Sequence, residues 1–263
     1  MVPHLEAKKE VTGELIDIQN STCIVPKGKP NAPLSGIYLH GWFDSSNTAK
    51  GFYVDLERSN REQLQKLSDE LGIRIAVPVA QEVRSIRSKS GVSRRVRTWN
   101  PSQAAGSAAK KLKAIEAESE KACGATLAKP RSLIGFSDGG YLARELALQC
   151  AAKKDTYSKV LMIGAAPRNT LAPKDKNCSD FQAIRGEADT STNPCVKRNK
   201  SGCIERGSFQ KTGQAMMKSF GENGAVLPNY SGGHVLPPLE VLKSVFPKTE
   251  PRAQMQPPEA TQE

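Results

Sequence analysis

The stretch Ser132-Leu133-Ile134-Gly135-Phe136-Ser137-Asp138-Gly139-Gly140 changes character at its middle. Residues 132–136 are a short apolar run and read as a buried strand, whereas residues 139–153 place Leu142, Leu146 and Cys150 at helical spacing. Between them stands G-x-S-x-G. A strand that turns into a helix within one residue crowds its own backbone, so small residues such as Gly135 and Gly139 must flank the turn, and Ser137 is lifted above the sheet edge. The helix that starts there aims free backbone N–H groups and a positive dipole end at the same spot. An incidental serine in a glycine-rich turn would leave the same letters. The strand before it and the helix after it are what mark Ser137 as a nucleophile.

Outward from this point, strands and helices alternate. Upstream, residues 11–18 (VTGELIDI) and 21–25 (STCIV) read as two strands joined by a tight polar turn. Residues 36–39 (GIYL) end abruptly in His40-Gly41-Trp42, as a buried central strand does. Residues 60–71 carry leucines at helical spacing and are closed by Gly72, and residues 73–80 (IRIAVPVA) form a further strand. Residues 84–97 read as a basic loop holding Arg84, Arg87, Lys89, Arg94, Arg95 and Arg97 with no acid among them, and residues 102–122 as a long helix rich in Ala, Lys and Glu. Downstream, strands are expected within 159–166, 181–189 and 225–230, and helices over 208–220 and 236–246. This order predicts an α/β fold with a doubly wound, mostly parallel sheet, in one domain over residues 1–246. Residues 247–263 lack apolar spacing and read as a disordered tail.

A serine hydroxyl is a weak nucleophile at neutral pH and needs a base to take its proton. The chain has three histidines. His4 lies in a polar N-terminal stretch and His40 ends a central strand. His234 follows Ser231-Gly232-Gly233 in a loop beyond the last strand, the flexible perch from which an imidazole reaches over a sheet edge. His234 is the expected base. A carboxylate must fix its tautomer and stabilise the imidazolium. Asp189, just past a strand end in Gly186-Glu187-Ala188-Asp189, is the expected partner, ahead of Glu187 and of Asp180, which precedes its strand. Asp138 is expected to turn away and organise neighbouring loops.

These pieces in this order resemble the α/β-hydrolase superfamily over roughly residues 36–246: His40-Gly41-Trp42 after a strand, the turn at Ser137, the Gly-x-x-Asp ending at Asp189, and Gly233-His234. The resemblance implies a serine hydrolase with Ser137, Asp189 and His234 as its triad, and an oxyanion hole made by the backbone N–H groups of Trp42 (or Phe43) and Asp138. It makes His40 and Gly41 structural. From Ser137 to Asp189 is 52 residues, too few to hold a large cap as well as the expected core elements. From Asp189 to His234 is 45 residues, more than one helix and one strand need. The excess predicts a cross-linked decoration at about residues 190–207, holding Cys195 and Cys203, beside an open mouth. Lidless secreted feruloyl esterases and polyhydroxybutyrate depolymerases are similar in these respects, and differ in often carrying Ala or Gln after the nucleophile where this chain has Asp138. The expectation is hydrolysis of a carboxylic ester, on a bulky or polymeric extracellular substrate, without cofactor or metal. A thioesterase or peptidase would use the same residues, and a non-catalytic polyanion-binding protein on a hydrolase scaffold is the alternative of a different class.

Composition bounds these readings. The net charge is +11 over 263 residues, which favours encounter with polyanions. The basic residues at 84–97 read either as a solvated loop or as contacts to an anionic surface. No nucleic-acid-binding motif supports a specific nucleic-acid partner, and no apolar run approaches the roughly 18 residues of a membrane span. Trp99 is expected either to stack on substrate or to pack in the core, and Trp42 to line the pocket. The six cysteines, without C-x-x-C, lean toward disulfides rather than zinc. Their pairing stays open, and buried free thiols are the alternative that Cys150 fits best. Disulfides imply a secreted or periplasmic protein, whose leader would lie outside MVPHLEAKKE; free thiols would imply a cytoplasmic one.

Overall fold

A computed structural model describes residues 20–44, 52–87, 93–103, 106–167, 177–199 and 202–246. The strand expected at 11–18 and the tail at 247–263 lie outside the described residues. In chain order the elements are β1 (Thr22–Ile24), β2 (Leu34–Leu39), β3 (Phe43–Asp44), α1 (Phe52–Leu71), β4 (Arg74–Val77), β5 (Glu82–Arg87), β6 (Ser93–Thr98), α2 (Ala108–Cys123), β7 (Leu127–Phe136), α3 (Asp138–Leu148), β8 (Tyr157–Ile163), β9 (Asp180–Ile184), β10 (Cys195–Asn199), β11 (Gly202–Arg206), α4 (Phe209–Met217), β12 (Gly224–Val226) and α5 (Leu239–Lys243).

The central sheet has the order β1-β4-β2-β7-β8-β9-β12, and every neighbouring pair is parallel except β1 with β4. Side chains alternate across a strand, and the sequence uses that alternation to build two cores. On one face Leu133, Val160 and Met162 pack with Leu112 and Ile115 of α2, Leu142 and Leu146 of α3, and Phe209 and Met216 of α4. On the other Ile134, Phe136, Leu161 and Ile163 pack with Leu64 and Leu67 of α1 and Leu242 of α5. The strands are apolar on both faces because both are covered. This is the doubly wound α/β architecture, and among the described residues no extra cap domain lies over it. No described helix is long and apolar enough to cross a membrane.

Several sequence expectations shift at their ends. The first helix begins at Phe52 rather than at 60, and the helix expected from 139 to 153 stops at Leu148. Cys150 therefore sits beyond the helix, at φ +50°, and not on its apolar face. Its reading as a buried free thiol is corrected: it is bonded to Cys178. Cys23 pairs with Cys123, and Cys195 with Cys203 across the ribbon β10–β11, which is the expected cross-linked decoration.

The reading of 84–97 as a loop is also corrected. Its described residues form β5 and β6, paired antiparallel from Glu82↔Thr98 to Arg87↔Ser93, and β6 pairs in turn with β3. Abundant arginine obscures a strand pattern of period two in which Val96 and Thr98 turn inward while Arg95 is exposed.

Candidate active site

The sheet brings four chain segments to one edge, the carboxyl ends of β2, β7, β9 and β12. At the end of β7 the backbone reverses within a single residue. Ser137 has φ +53° and ψ −112°, a conformation costing a non-glycine residue on the order of 1–3 kcal/mol, and its N–H donates to the Ile163 carbonyl at 2.8 Å. The surroundings enforce it. A β-carbon at Gly135 would overlap the Gly139 carbonyl, and one at Gly139 would overlap the Leu39 carbonyl, so α3 can leave the strand end at this angle only with glycine at both positions. Gly41 presses the β2 loop against the turn, and a β-carbon there would stand 3.1 Å from that of Ser137.

His234 stands in the loop after β12, which is bound to the loop after β9. Glu187 N–H donates to the Tyr230 carbonyl at 2.9 Å and Ala188 N–H to the Gly232 carbonyl at 2.9 Å. This stitching carries the imidazole to Asp189, with Nδ1 2.6 Å from Asp189 Oδ2. The ring also packs on Phe136, centroid to centroid 4.8 Å, directly beside the Ser137 turn. Asp189 is buried, while the His234 side chain is 28 % exposed. Burial works to raise the Asp189 carboxyl, but hydrogen bonds from His234 and Ser191 outweigh it and hold it below the usual range. The aspartate is thus an anion that accepts Nδ1–H and leaves Nε2 as the imidazole's acceptor.

Ser137 and His234 open onto one cavity of about 450 Å³, walled by Trp42, Leu56 and Tyr141. Trp42 is 40 % exposed and lines it as expected. Phe43 begins β3, the strand next to β6. Asp138 is the first residue of α3, so its N–H belongs to the four that have no partner within the helix. Its carboxylate turns to β6, accepting from Thr98 Oγ1 at 2.9 Å and Trp99 N–H at 2.7 Å, with the Trp42 indole as a further donor. Burial raises the Asp138 carboxyl above its ordinary value even against these donors. Trp99 is a core residue: its Nε1–H donates to the His40 carbonyl at 3.0 Å and its ring packs on the His40 imidazole.

His40 is fully buried. Its Nε2 accepts from Ala80 N–H at 3.0 Å, which places the proton on Nδ1, facing the Gly41 carbonyl. Burial pushes its pKa down to about 3.

Residues that the sequence motifs do not mark complete the site. Ser191 donates to the second Asp189 oxygen, Oδ1, and Thr192 to the Asp189 carbonyl. Gly164, at φ +57°, lies beneath the imidazole, where a β-carbon would stand 3.1 Å from His234 Cε1. The Thr190-Ser191-Thr192 run directly after Asp189 is the available signal for the first two; Gly164 leaves only a glycine at a strand end.

Neither a family model nor a curated protein matches this chain. Solved structures do, at low identity. The native form of a protein designated sOPH is 15 % identical with a TM-score of 0.52, covering 91 % of this chain and 88 % of that one. A protein of unknown function from Agrobacterium tumefaciens, Atu2452, is 18 % identical with a TM-score of 0.43 over 81 % of this chain and 89 % of its own. LpqC, a poly(3-hydroxybutyrate) depolymerase from Bordetella parapertussis, is 14 % identical with a TM-score of 0.44, covering 87 % of each chain. The likeness to sOPH, at 15 % identity, speaks to fold alone. The sheet order, the turn at Ser137 and the absence of a cap among the described residues point to the same architecture. The fold is that of the α/β-hydrolases.

Proposed function

We propose that this protein is a serine hydrolase that cleaves carboxylic esters through an acyl-enzyme. The observation that carries the reading is the His234–Asp189 pair at 2.6 Å, with its imidazole opening onto the same cavity as a serine held in a strained strand-to-helix turn. In the first half-reaction His234 Nε2 takes the Ser137 proton as Oγ attacks the acyl carbon. The imidazolium, stabilised by Asp189, then protonates the leaving alcohol. In the second, water attacks the acyl-enzyme with the same imidazole as base, releasing the carboxylic acid and restoring the serine. The N–H groups of Asp138 and of Trp42 or Phe43 are suited to the developing oxyanion, each worth on the order of 3 kcal/mol in the barrier.

The absence of a cap among the described residues and the disulfide-bearing ribbon beside Thr192 support a bulky or polymeric ester, as in the feruloyl esterases and polyhydroxybutyrate depolymerases that the sequence resembles. Three disulfides require an oxidising environment to form and persist, and we place the protein outside the cytoplasm, secreted or periplasmic. The test is labelling by a fluorophosphonate probe. Wild type is expected to label and Ser137→Ala not; a folded wild type that does not label, or a variant that does, would defeat the reading.

A further inference from the structure

Trp42 and Asp138, whose backbone N–H groups are suited to the oxyanion, line the same cavity. Among the described residues, neither N–H meets a protein acceptor. The two come from different parts of the fold: Asp138 opens α3, whereas Trp42 stands in the short loop between β2 and β3. The hydrogen bonds of α3 itself fix the first. The second has no such frame, because Trp42 is exposed and belongs to no strand or helix. A contact from outside the loop must hold it.

Two sets of hydrogen bonds tie this loop to the start of α3. In one, the His40 carbonyl accepts from Gly139 N–H at 3.0 Å and from the Trp99 indole at 3.0 Å. In the other, the Asp138 carboxylate accepts from Trp99 N–H, from Thr98 Oγ1 and from the Trp42 indole. Thr98 Oγ1 itself accepts from Asn100 N–H at 3.1 Å, which leaves its own proton for Asp138. All three groups around the carboxylate are donors, so only its ionised, acceptor-only form fits them. A buried anion beside the nucleophile is costly to desolvate and repels a developing oxyanion. The three donors offset both effects, and one of them is the side chain of the residue that carries the second oxyanion N–H.

We propose that the Asp138 side chain is a positioning group for the oxyanion hole: its carboxylate holds the Trp42 indole and so sets the Trp42 backbone N–H at a fixed distance from that of Asp138. The inference rests on the ester-hydrolase reading, and it takes the cavity-lining Trp42, rather than Phe43, as the second donor. The two residues are then joined twice, once through their side chains and once through the oxyanion that both N–H groups meet. Such donors act only within roughly 2.7–3.1 Å of the oxyanion. Slack in the link therefore slows the chemical step while leaving the binding of intact ester nearly unchanged.

The test uses the full chain with two substitutions, singly and together. Asp138→Asn keeps the shape of the side chain and removes its charge and one acceptor oxygen; Trp42→Phe removes the indole donor from an exposed ring. With 4-nitrophenyl acetate, each is expected to lower kcat about tenfold while KM stays within about threefold. The double variant is expected to fall within about twofold of the slower single variant, since both substitutions cut the same link. Phenylboronic acid, whose adduct with serine is tetrahedral, is expected to bind each single variant about tenfold more weakly than wild type. A carboxylate with only a structural role would lower the thermal midpoint of Asp138→Asn and leave kcat per folded molecule unchanged; that result, or losses that multiply in the double variant, overturns the proposal. Should Asp138→Asn not fold, Trp42→Phe decides alone, and an unchanged kcat overturns the proposal. Fluorophosphonate labelling separates this inference from the reading it rests on. A folded wild type that does not label defeats both, whereas wild type and Asp138→Asn labelling at equal rates defeats the positioning role and leaves the hydrolase standing.

Discussion

Two histidines stand at the same edge of the sheet, His40 after β2 and His234 in the loop after β12, and the fold treats them in opposite ways. His40 is sealed in the core with both ring nitrogens engaged by backbone, under Trp99 and beside the Ser137 turn. His234 rests on a glycine-rich loop, one nitrogen committed to a buried aspartate and its ring partly open to the cavity. The same side chain becomes a structural bracket when desolvation suppresses its charged form, and a candidate proton carrier when a carboxylate is positioned to support that form. Position at the functional edge therefore does not assign chemistry; the second partner of each ring does.

That contrast breaks down or sharpens under four substitutions or conditions. The largest effect is expected from His234→Ala: turnover of an activated ester should fall about 10⁴-fold or more, with the thermal midpoint nearly unchanged. Retention of activity would remove His234 from the chemistry. For His40→Ala the loss should appear in stability instead, by about 3 kcal/mol in urea unfolding, since it opens a cavity and strands the Ala80 N–H; an equally stable variant would contradict the bracket role.

The pH dependence of that stability comes next. The folded His40 has its pKa depressed to about 3 from an ordinary 6.5, so only the unfolded chain binds the proton between these values. Its contribution is fully present above about pH 6.5 and is lost as pH falls toward 3, on the order of a few kcal/mol over that window. Comparing unfolding of wild type and His40→Gln across pH 3–7 isolates it: the variant should show a shallower slope, and parallel curves would argue against a buried neutral imidazole. The smallest effect is expected for Gly164→Ala. A β-carbon there strains a backbone at φ +57° and crowds His234 Cε1 at 3.1 Å, so kcat should fall about tenfold with a stability loss of about 1–2 kcal/mol. Unchanged kcat would show that the imidazole has slack.

Much of this is legible in the residues. The alternation of strands and helices, the turn at Ser137 and the Gly233-His234 loop are local patterns, each with a steric cause that acts over a few neighbours. The basic segment misleads because arginine depresses apparent strand character, although buried Val96 and Thr98 alternate with exposed Arg95 and half-buried Arg97. Cys150 misleads because its spacing continues the helical pattern past Leu148, where the helix has already ended. The hydroxyl run after Asp189 is visible in the sequence, but which hydroxyl meets which Asp189 oxygen, and the space reserved at Gly164, depend on how the chain is folded around His234.

What the sequence determined unaided is where the backbone must turn and which side chains have chemistry to offer, because glycine tolerance and apolar periodicity are short-range properties. Which nitrogen of which histidine is engaged, that Asp138 serves β6, and that a run of arginines becomes a ribbon joined to the Trp42 loop were decided by tertiary structure. Burial, hydrogen-bond partners and strand register exist only once distant segments meet, and it is those meetings that set the charge and direction of each functional group.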